Sequence, residues 1–204
     1  LEESYSEFTP HTVTVVTPPW NFPIAIPTGG IAASLAAGSA VIVKPAPQVV
    51  HCGKLVVEAF RTALEAQGLD PDLVQLVLTD EAAAGKALLS HDDVDNVILT
   101  GASDTGALFR SWKPKMNIMA ETSGKNALII TPAADPDLAI DDLYNSAFGH
   151  SGQKCSAASL VIFVGAAGKS ERLRTQLLDA VKTLKPGPGF DITTTMNGLA
   201  EAPS

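Results

Sequence analysis

Short apolar runs rich in β-branched residues alternate along the chain with segments whose apolar positions recur every three or four residues. Residues 13–17 (VTVVT) and 40–44 (AVIVK) have the first pattern, and residues 31–38 between them have the second. Runs of the first kind are typical of buried strands, and the longer spacing is typical of a helix that packs one face on a core. The first 44 residues therefore predict a strand, a helix and a strand.

The alternation continues to the end of the chain. Apolar residues at helical spacing run from Leu55 to Leu64, and Gly68 with Asp70-Pro71 ends that segment. The remaining predicted strands are 73–78, 96–100, 117–121, 126–131 and 159–164. The remaining predicted helices are 81–90, 103–112, 138–148 and 170–184. Apolar strands separated by helices predict an α/β fold with a parallel sheet and helices on both faces.

Composition and charge are those of an ordinary globular protein and exclude several partners. The chain has 204 residues, of which 46% are hydrophobic and 18% charged, enough for one large or two small domains. A formal charge of −8 without a large Lys/Arg cluster argues against nucleic acid and anionic lipid surfaces. Residues 12–43 carry no charge, but prolines and glycines interrupt them, so we expect no membrane span.

The two cysteines and four histidines predict neither a disulfide framework nor a metal site. Cys52 and Cys155 lie far apart in the chain, and the histidines share no metal-ligand spacing. Free cysteines indicate a reducing compartment, so we expect a cytoplasmic protein. Cys52 stands at the start of a predicted helix, and we expect it to be a core residue without a catalytic role.

Cys155 stands in the segment GHSGQKCSA, residues 149–157, with glycines before it and small side chains after it. A lone cysteine is often a small buried hydrophobe, and that is the alternative here. A catalytic thiolate instead needs space for a substrate and nearby N–H groups that hold an oxyanion. The small neighbours of Cys155 make it a candidate nucleophile.

Two other side chains are candidates for assisting such a thiol. Glu121 ends an apolar strand, where parallel sheets bind ligands and partial desolvation raises the pKa of a carboxyl group. Three prolines in residues 17–23 (TPPWNFP) fix the backbone around Trp20 and Asn21, so a rigid amide could donate to an oxyanion. The alternatives are a solvated Glu at a strand end and a Pro-rich turn closed by an aromatic ring.

Two further segments suit a ligand that carries phosphate. Residues 99–106 (LTGASDTG) lead from a strand through a glycine turn to a helix start, where N–H groups and the helix dipole attract anions. They lack the G-x-G-x-x-G fingerprint, and a simple connector is the commoner explanation of such a turn. Lys44 at a strand end could bind a ribose hydroxyl or a phosphate, or it is simply solvated.

Taken in their order along the chain, these segments resemble the aldehyde dehydrogenase superfamily. The matching features are PWNFP with Asn21, VKPA with Lys44, the TG turn, ETSGKN with Glu121 and GQKCSA with Cys155, at spacings similar to that family's. The resemblance covers essentially the whole chain and is greatest to the pyrroline-5-carboxylate dehydrogenase part of bifunctional proline utilization A proteins. It implies a partial Rossmann-like dinucleotide-binding domain over residues 1–122 and the truncated start of the catalytic domain over 123–204.

The resemblance also implies a mechanism and a set of site residues. Cys155 would attack the aldehyde carbon, Asn21 and the Cys155 N–H would hold the oxyanion, and Glu121 would activate the hydrolytic water. Positions matching the family's NAD cleft are Pro18, Trp20, Lys44, Gly85, Gly101, Ala102, Ser103 and Thr122. The implied substrate is glutamate γ-semialdehyde, oxidised to glutamate in proline catabolism. We expect the parent protein to be a homo-oligomer and to carry a proline dehydrogenase domain.

Several positions depart from the family's pattern. Pro47 stands where many members carry a Glu that disfavours a 2′-phosphate, so NADP stays open beside NAD. Ala102 replaces a phosphate-binding serine, and we expect Ser103 or backbone N–H groups to compensate; Gly30 replaces a lysine of many relatives. The family's second cofactor glutamate and substrate-pocket aromatics would lie beyond Ser204. We therefore expect a piece of a longer polypeptide with exposed apolar surface.

Two other functions stay open on the sequence alone. A dinucleotide-binding or oligomerising fragment without turnover would share the fold and lack the thiol chemistry. Another semialdehyde dehydrogenase, or a relative that transfers the acyl group to coenzyme A, would share that chemistry. Glu121 argues against the acylating variety, because a water-activating base suits hydrolytic release of the product.

Overall fold

The computed structural model of the chain describes residues 7–80 and 82–202. Two compact units make up the chain, Leu1–Ser123 (unit 1) and Gly124–Ser204 (unit 2). Glu81, where the predicted helix 81–90 begins, and the outer ends of the two predicted domains, 1–6 and 203–204, lie outside the described residues. The predicted alternation of strands and helices is confirmed in both units.

The described residues of unit 1 form five strands and four α-helices. The strands are β1 Val13–Thr17, β2 Ala40–Val43, β3 Val74–Leu76, β4 Asn96–Gly101 and β5 Ile118–Thr122. The helices are α1 Ala25–Ala36, α2 Val50–Ala66, α3 Ala83–Ser90 and α4 Ser103–Trp112. The strands form one sheet in the order β3-β2-β1-β4-β5, and every neighbouring pair is parallel. The carboxyl ends of all five strands therefore lie at the same edge of the sheet.

Both faces of this sheet are buried, as the apolar strands predict. Adjacent residues of β1 point to opposite faces, so Val15 and Val16 belong to different core clusters. Val15 packs in a cluster that includes Leu89 of α3 and Phe109 of α4. Val16 packs with Ile31 of α1 and with residues of α2. Helices therefore cover both faces of the sheet, which is the expected fold class.

Helices α1 and α5 begin earlier than the sequence pattern predicts. Helix α1 starts at Ala25 rather than near residue 31, and it includes Gly30, which serves close packing rather than a loop. A Cβ on Gly30 would lie 2.9 Å from Cγ1 of Val16, so bare backbone lets α1 approach β1. Helix α5 starts at Pro136 rather than Leu138, since proline is favoured in the first turn and the Asp135 side chain caps the helix.

In the described part of unit 2, two α-helices pack on one face of a two-stranded parallel sheet. Its elements are β6 Ala127–Ile130, α5 Pro136–Phe148, β7 Leu160–Phe163 and α6 Glu171–Lys182. Ile130 of the sheet is buried with Ile140 and Leu143 of α5 and with Leu173 of α6.

The opposite face of the β6–β7 sheet is the exposed apolar surface expected in this half of the chain. Ile129, Leu160 and Ile162 are 61%, 45% and 41% exposed there. We call these three side chains, with Ala127, the open face of the β6–β7 sheet.

Cys52, expected in the core, is only half-buried, because it lies on the first turn of α2.

None of the helices in residues 7–80 and 82–202 combines the length and the apolarity that crossing a bilayer requires.

Candidate active site

Each predicted site residue of unit 1 lies at the end of a strand of the five-stranded sheet, or in the turn or helix that follows it. Pro18, Trp20 and Asn21 follow β1, Lys44 follows β2, and Gly85 follows β3. Gly101 ends β4 and is followed by Ala102 and Ser103, while Glu121 and Thr122 end β5. Strand order reverses where β1 lies between β2 and β4. Open α/β sheets bind ligands at the carboxyl edge beside such a reversal.

The turn after β1 is held against the sheet. Thr17, the last residue of β1, is buried, and its hydroxyl donates to the carbonyl oxygen of Ile98 at 3.1 Å. Pro18 is buried, and Trp20 and Asn21 are half-buried. The Asn21 Oδ1 atom itself is out of contact with solvent. The prolines and this burial together fix the Asn21 amide at the carboxyl edge of the sheet.

Lys44 and Gly85 are neighbours at the ends of β2 and β3. The Lys44 N–H donates to the carbonyl oxygen of Val16 at 2.9 Å, which continues the β1–β2 pairing and fixes where the side chain starts. A Cβ added to Gly85 would lie 3.7 Å from Cε of Lys44 and 2.7 Å from the carbonyl oxygen of Asp80. Only glycine fits there, so the first turn of α3 approaches Lys44 without an intervening side chain.

The start of α4 offers backbone donors rather than a serine side chain. Ala102 precedes the helix and supplies no capping side chain. The Ser103 hydroxyl, expected to replace the missing serine, donates to the carbonyl oxygen of Ser123 at 3.2 Å. The two expected substitutes were the Ser103 hydroxyl and backbone N–H groups. Since the hydroxyl donates elsewhere, the first N–H groups of α4 are the donors left for an anion.

Glu121 lies on the exposed part of β5, paired with Thr100 of β4. Because β5 is an edge strand whose last four residues are all exposed, unit 1 does not provide the expected desolvation of the carboxylate. The pairing continues beyond the strand, where the Ser123 N–H donates to the carbonyl oxygen of Gly101 at 2.9 Å. The backbone of Glu121 is thus held by pairing with β4 both at and beyond its own position, while its carboxylate is open to solvent.

The Cys155 loop of unit 2, residues 149–158, follows α5 through a left-handed segment. His150, Ser151 and Gly152 have φ angles of 54°, 56° and 70°. Two consecutive non-glycine residues with positive φ cost energy and occur mainly where a function constrains the backbone. Cys155 itself is exposed, which rules out the alternative of a small buried hydrophobe.

Cys155 occupies the second position of a tight turn. The Ala157 N–H donates to the carbonyl oxygen of Lys154 at 3.1 Å, which closes the turn, and the Ala158 N–H donates to Oγ of Ser146 at 3.1 Å. The side-chain amide of Asn126 donates to the carbonyl oxygens of Cys155 and Ala157. Within residues 124–202 no acceptor takes the Cys155 N–H. A rigid turn therefore presents a thiol and a backbone donor together.

A second set of contacts joins this loop to residues 197–200. The Ser151 hydroxyl donates to the carbonyl oxygen of Asn197. The Gln153 amide donates to the carbonyl oxygen of Gly198 at 3.3 Å and accepts from the Ala200 N–H at 2.9 Å. Sequence reasoning missed both Gln153 and Asn126, although they stand inside the quoted motifs GQKCSA and ETSGKN, since their partners lie tens of residues away.

The electrostatics of these positions involve backbone dipoles more than charge clusters. In the part of the chain that the structure describes, no three His, Cys, Asp or Glu side chains come together as a metal-binding group. The donors suited to a nucleotide are Lys44 and the start of α4, and those suited to an oxyanion are the Asn21 amide and the Cys155 N–H. Taken unit by unit, the donors of unit 1 suit an anionic cofactor, and the Cys155 turn of unit 2 suits nucleophilic acyl chemistry.

Comparisons with known proteins agree with this chemistry. The model of the aldehyde dehydrogenase family matches residues 2–203. The chain is 33% identical over 94% of its length to α-ketoglutaric semialdehyde dehydrogenase of Bacillus subtilis, of which it covers 38%. It is 31% identical over 98% of its length to 1-pyrroline-5-carboxylate dehydrogenase of Bacillus pumilus, of which it covers 37%. The chain thus spans well under half the length of these curated relatives.

Solved structures give the same result. Proline utilization A from Corynebacterium freiburgense is 61% identical with a TM-score of 0.88 over 97% of this chain and 20% of that one. Betaine aldehyde dehydrogenase from Staphylococcus aureus, solved in complex with NAD⁺, is 31% identical with a TM-score of 0.84 over 94% of this chain and 37% of that one. With a family match over nearly every residue, a shared fold and a fixed, exposed cysteine, the chain belongs to the aldehyde dehydrogenase family.

Proposed function

We propose that this chain is the part of an NAD⁺-dependent aldehyde dehydrogenase that binds the nucleotide and carries the nucleophile. Residues 1–122 would bind the dinucleotide, and residues 123–204 would supply the thiol. The observation that carries the proposal is the exposed Cys155 on a rigid turn whose N–H no acceptor in residues 124–202 takes. A buried structural cysteine would need neither the exposure nor the left-handed segment before it.

The side chains have separate roles in the proposed reaction. The Cys155 thiolate attacks the aldehyde carbon, and the resulting oxyanion of the thiohemiacetal accepts hydrogen bonds from the Cys155 N–H and the Asn21 amide. NAD⁺, when bound, would accept the hydride that leaves this carbon. The thiohemiacetal would thereby become a thioester of Cys155. Glu121 then takes a proton from water as the oxygen attacks the thioester, releasing the carboxylic acid and the Cys155 thiol.

The residues at the carboxyl edge of unit 1 fit a dinucleotide. Gly85 leaves space at the start of α3 beside Lys44, whose ammonium group suits a ribose hydroxyl or a phosphate. The first N–H groups of α4 suit the pyrophosphate, since the Ser103 hydroxyl donates to the Ser123 carbonyl. Trp20 and Pro18 supply apolar surface after β1, and Thr122 follows Glu121. The NAD⁺ complex of betaine aldehyde dehydrogenase supports NAD⁺ as the cofactor, and NADP⁺ stays open beside it.

We favour glutamate γ-semialdehyde as the aldehyde. The 61% identity to proline utilization A and the likeness to 1-pyrroline-5-carboxylate dehydrogenase support this substrate. The likeness to α-ketoglutaric semialdehyde dehydrogenase favours a second candidate, an α-keto semialdehyde. We further propose a proline-oxidising domain in the same polypeptide and a homo-oligomer. We also propose a reducing, cytoplasmic environment, because both cysteines are free thiols.

The test is an oxidation assay on the protein expressed from its complete reading frame. Glutamate γ-semialdehyde and α-ketoglutaric semialdehyde are each supplied with NAD⁺ or NADP⁺, and the absorbance of the reduced nicotinamide is followed. We expect turnover with glutamate γ-semialdehyde and NAD⁺, and loss of turnover in Cys155→Ser with nucleotide affinity unchanged. Cys52→Ser is the matched control and retains activity.

Two outcomes would contradict the proposal. Full activity in Cys155→Ser would show that another group is the nucleophile. Nucleotide binding without oxidation of either aldehyde would favour the dinucleotide-binding or oligomerising module instead.

A further inference from the structure

We propose that Asn126 is a positioning residue for the Cys155 thiol, and that its side-chain amide clamps the turn from which the thiol projects. The inference rests on the proposed role of Cys155 as the nucleophile. Asn126 Nδ2 lies 2.5 Å from the carbonyl oxygen of Cys155 and 3.2 Å from that of Ala157. Sequence motifs assign this residue no function, and it is absent from the predicted site.

Asn126 reaches the Cys155 turn because the strands that follow the two segments are paired. Parallel pairing of β6 and β7 begins with Ala127 opposite Leu160, so Asn126 enters the sheet beside the segment that leads into β7. Its carbonyl oxygen accepts from the N–H groups of Ser159 and Leu160, each at 3.1 Å. The main chain of Asn126 thus fixes residues 159–160, and its side chain fixes residues 155–157.

The chemistry of the clamp requires an amide. A carboxamide NH₂ group has two N–H donors, and here each of two backbone carbonyl oxygens receives one of them. An ionised aspartate has the same size but only acceptor oxygens, so it would face both carbonyl oxygens without a proton to share. Alanine would leave both carbonyl groups to solvent.

The clamp fixes the direction of the thiol. Cys155 is the second residue of the Lys154–Ala157 turn, so its backbone angles set the orientation of both neighbouring peptide groups. Holding the Cys155 carbonyl fixes the peptide group after Cys155 and thereby the direction of the Cα–Cβ bond. Displacing a reacting group by about 1 Å can cost about 100-fold in rate.

The loop retains other anchors when the clamp is removed. The Ala157 N–H still closes the turn on Lys154, and the Ala158 N–H still donates to Ser146. The hydrophobic cluster of unit 2, formed by residues of β6, β7, α5 and α6 with Ala167, does not include Asn126. Loss of the amide should therefore loosen the peptide group at Cys155 without unfolding the unit.

The decisive variant is Asn126→Asp in the protein expressed from its complete reading frame. We expect kcat for aldehyde oxidation to fall about 10- to 100-fold, while the KM for NAD⁺ and the thermal midpoint stay the same. Amide hydrogen exchange, followed by mass spectrometry on peptides covering residues 154–160, should become faster in the variant. A merely structural role would lower the thermal midpoint and would not separate kcat from the KM for NAD⁺.

Two controls make the result specific. Lys125→Gln changes the local charge by the same one unit but keeps the amide, so we expect native kcat and exchange. Asn126→Ala removes the donors without adding charge and should reproduce the loss. Unchanged kcat or unchanged exchange in Asn126→Asp, or an equal loss in Lys125→Gln, overturns the clamp. Absence of turnover in the native protein overturns the proposed function instead, and the exchange measurement then still decides whether the clamp exists.

Discussion

Gly152 shows how much of the Cys155 loop depends on single residues. Its φ of 70° is a left-handed value that side chains rarely adopt, and a Cβ there would lie 2.9 Å from the carbonyl oxygen of Ala147. A side chain at residue 152 would therefore meet both the unfavourable φ and this clash. The clash is with a backbone oxygen, which cannot rotate away as a side chain can. Gly149, three residues earlier, has an ordinary φ of −54°, and a Cβ there would meet only the Nζ end of Lys154.

We therefore predict that Gly152→Ala lowers the free energy of unfolding by about 1–3 kcal/mol, the range for left-handed strain, and lowers kcat as the loop shifts. Chemical denaturation and the oxidation assay measure the two effects. The control Gly149→Ala should change both quantities little, because the Lys154 side chain can move aside. Equal effects of the two substitutions would contradict the prediction.

At the residue scale, the sequence indicates candidate residues better than it indicates their contacts. Cys155, Glu121 and Asn21 could be selected because each stands in a segment whose residue types suit a role. The donation from Asn126 to Cys155 joins residues 29 positions apart, and no local pattern indicates it. The left-handed conformations of His150 and Ser151 were not predicted from the sequence either, because neither residue type by itself indicates a positive φ.

At the scale of elements, Asp137 joins the two helices of unit 2. Its Oδ1 atom accepts from Nε2 of Gln176 at 2.5 Å and from Nη2 of Arg172 at 2.7 Å, so α5 is tied to α6. The Gln176 hydrogen bond first, and then the Arg172 guanidinium, lower the pKa of Asp137 below its ordinary value of 3.8. The folded state therefore favours the ionised carboxylate more than the unfolded state does.

This shift predicts a stability contribution that depends on pH. For a group whose folded pKa is lowered, the contribution is present above the ordinary pKa of 3.8 and is lost as the pH falls through the folded pKa. Asp137→Asn should remove that part of the acid sensitivity in unfolding experiments between about pH 5 and pH 2. Asp142→Asn, on the exposed surface of the same helix, is the control and should keep the native pH profile.

Boundaries of elements were predictable where local chemistry and tertiary packing agree. Helix α4 spans the predicted residues 103–112, because the glycine turn before it and the apolar spacing within it indicate the same start. Helix α1 was predicted too short. Gly30 lies inside this helix because Val16 of β1 packs closely against it, and the local sequence does not show that contact. A sequence pattern can report a glycine, but the packing decides whether that glycine breaks a helix or serves it.

At the scale of the whole molecule, the loss of net charge near the pI and the open face of the β6–β7 sheet act together. The formal charge is −8 at pH 7 and the sequence pI is near 4.9, so electrostatic repulsion between copies vanishes close to pH 5. Ile129, Leu160 and Ile162 present a contiguous apolar surface on that face.

We predict that light scattering by a solution of the 204-residue chain has a maximum near its pI of 4.9. Ile129→Thr combined with Ile162→Thr keeps the charge and removes part of the apolar surface, so it should reduce that maximum. Leu138→Thr, which changes an exposed leucine on α5 away from the open face, should not. An equal maximum in the double variant would show that the open face does not drive the association.

The arrangement of strands in unit 1 has a consequence for synthesis on the ribosome. Thr14 of β1 pairs with Val41 of β2 on one side and with Asn96 of β4 on the other. A nascent chain can give β1 its first neighbour early, but the second arrives only after β2, β3 and three helices have emerged. During that interval one side of β1 has unpaired backbone groups that any other extended segment can occupy. Translation speed between residues 44 and 96 should therefore influence how much of the newly made protein reaches its native sheet.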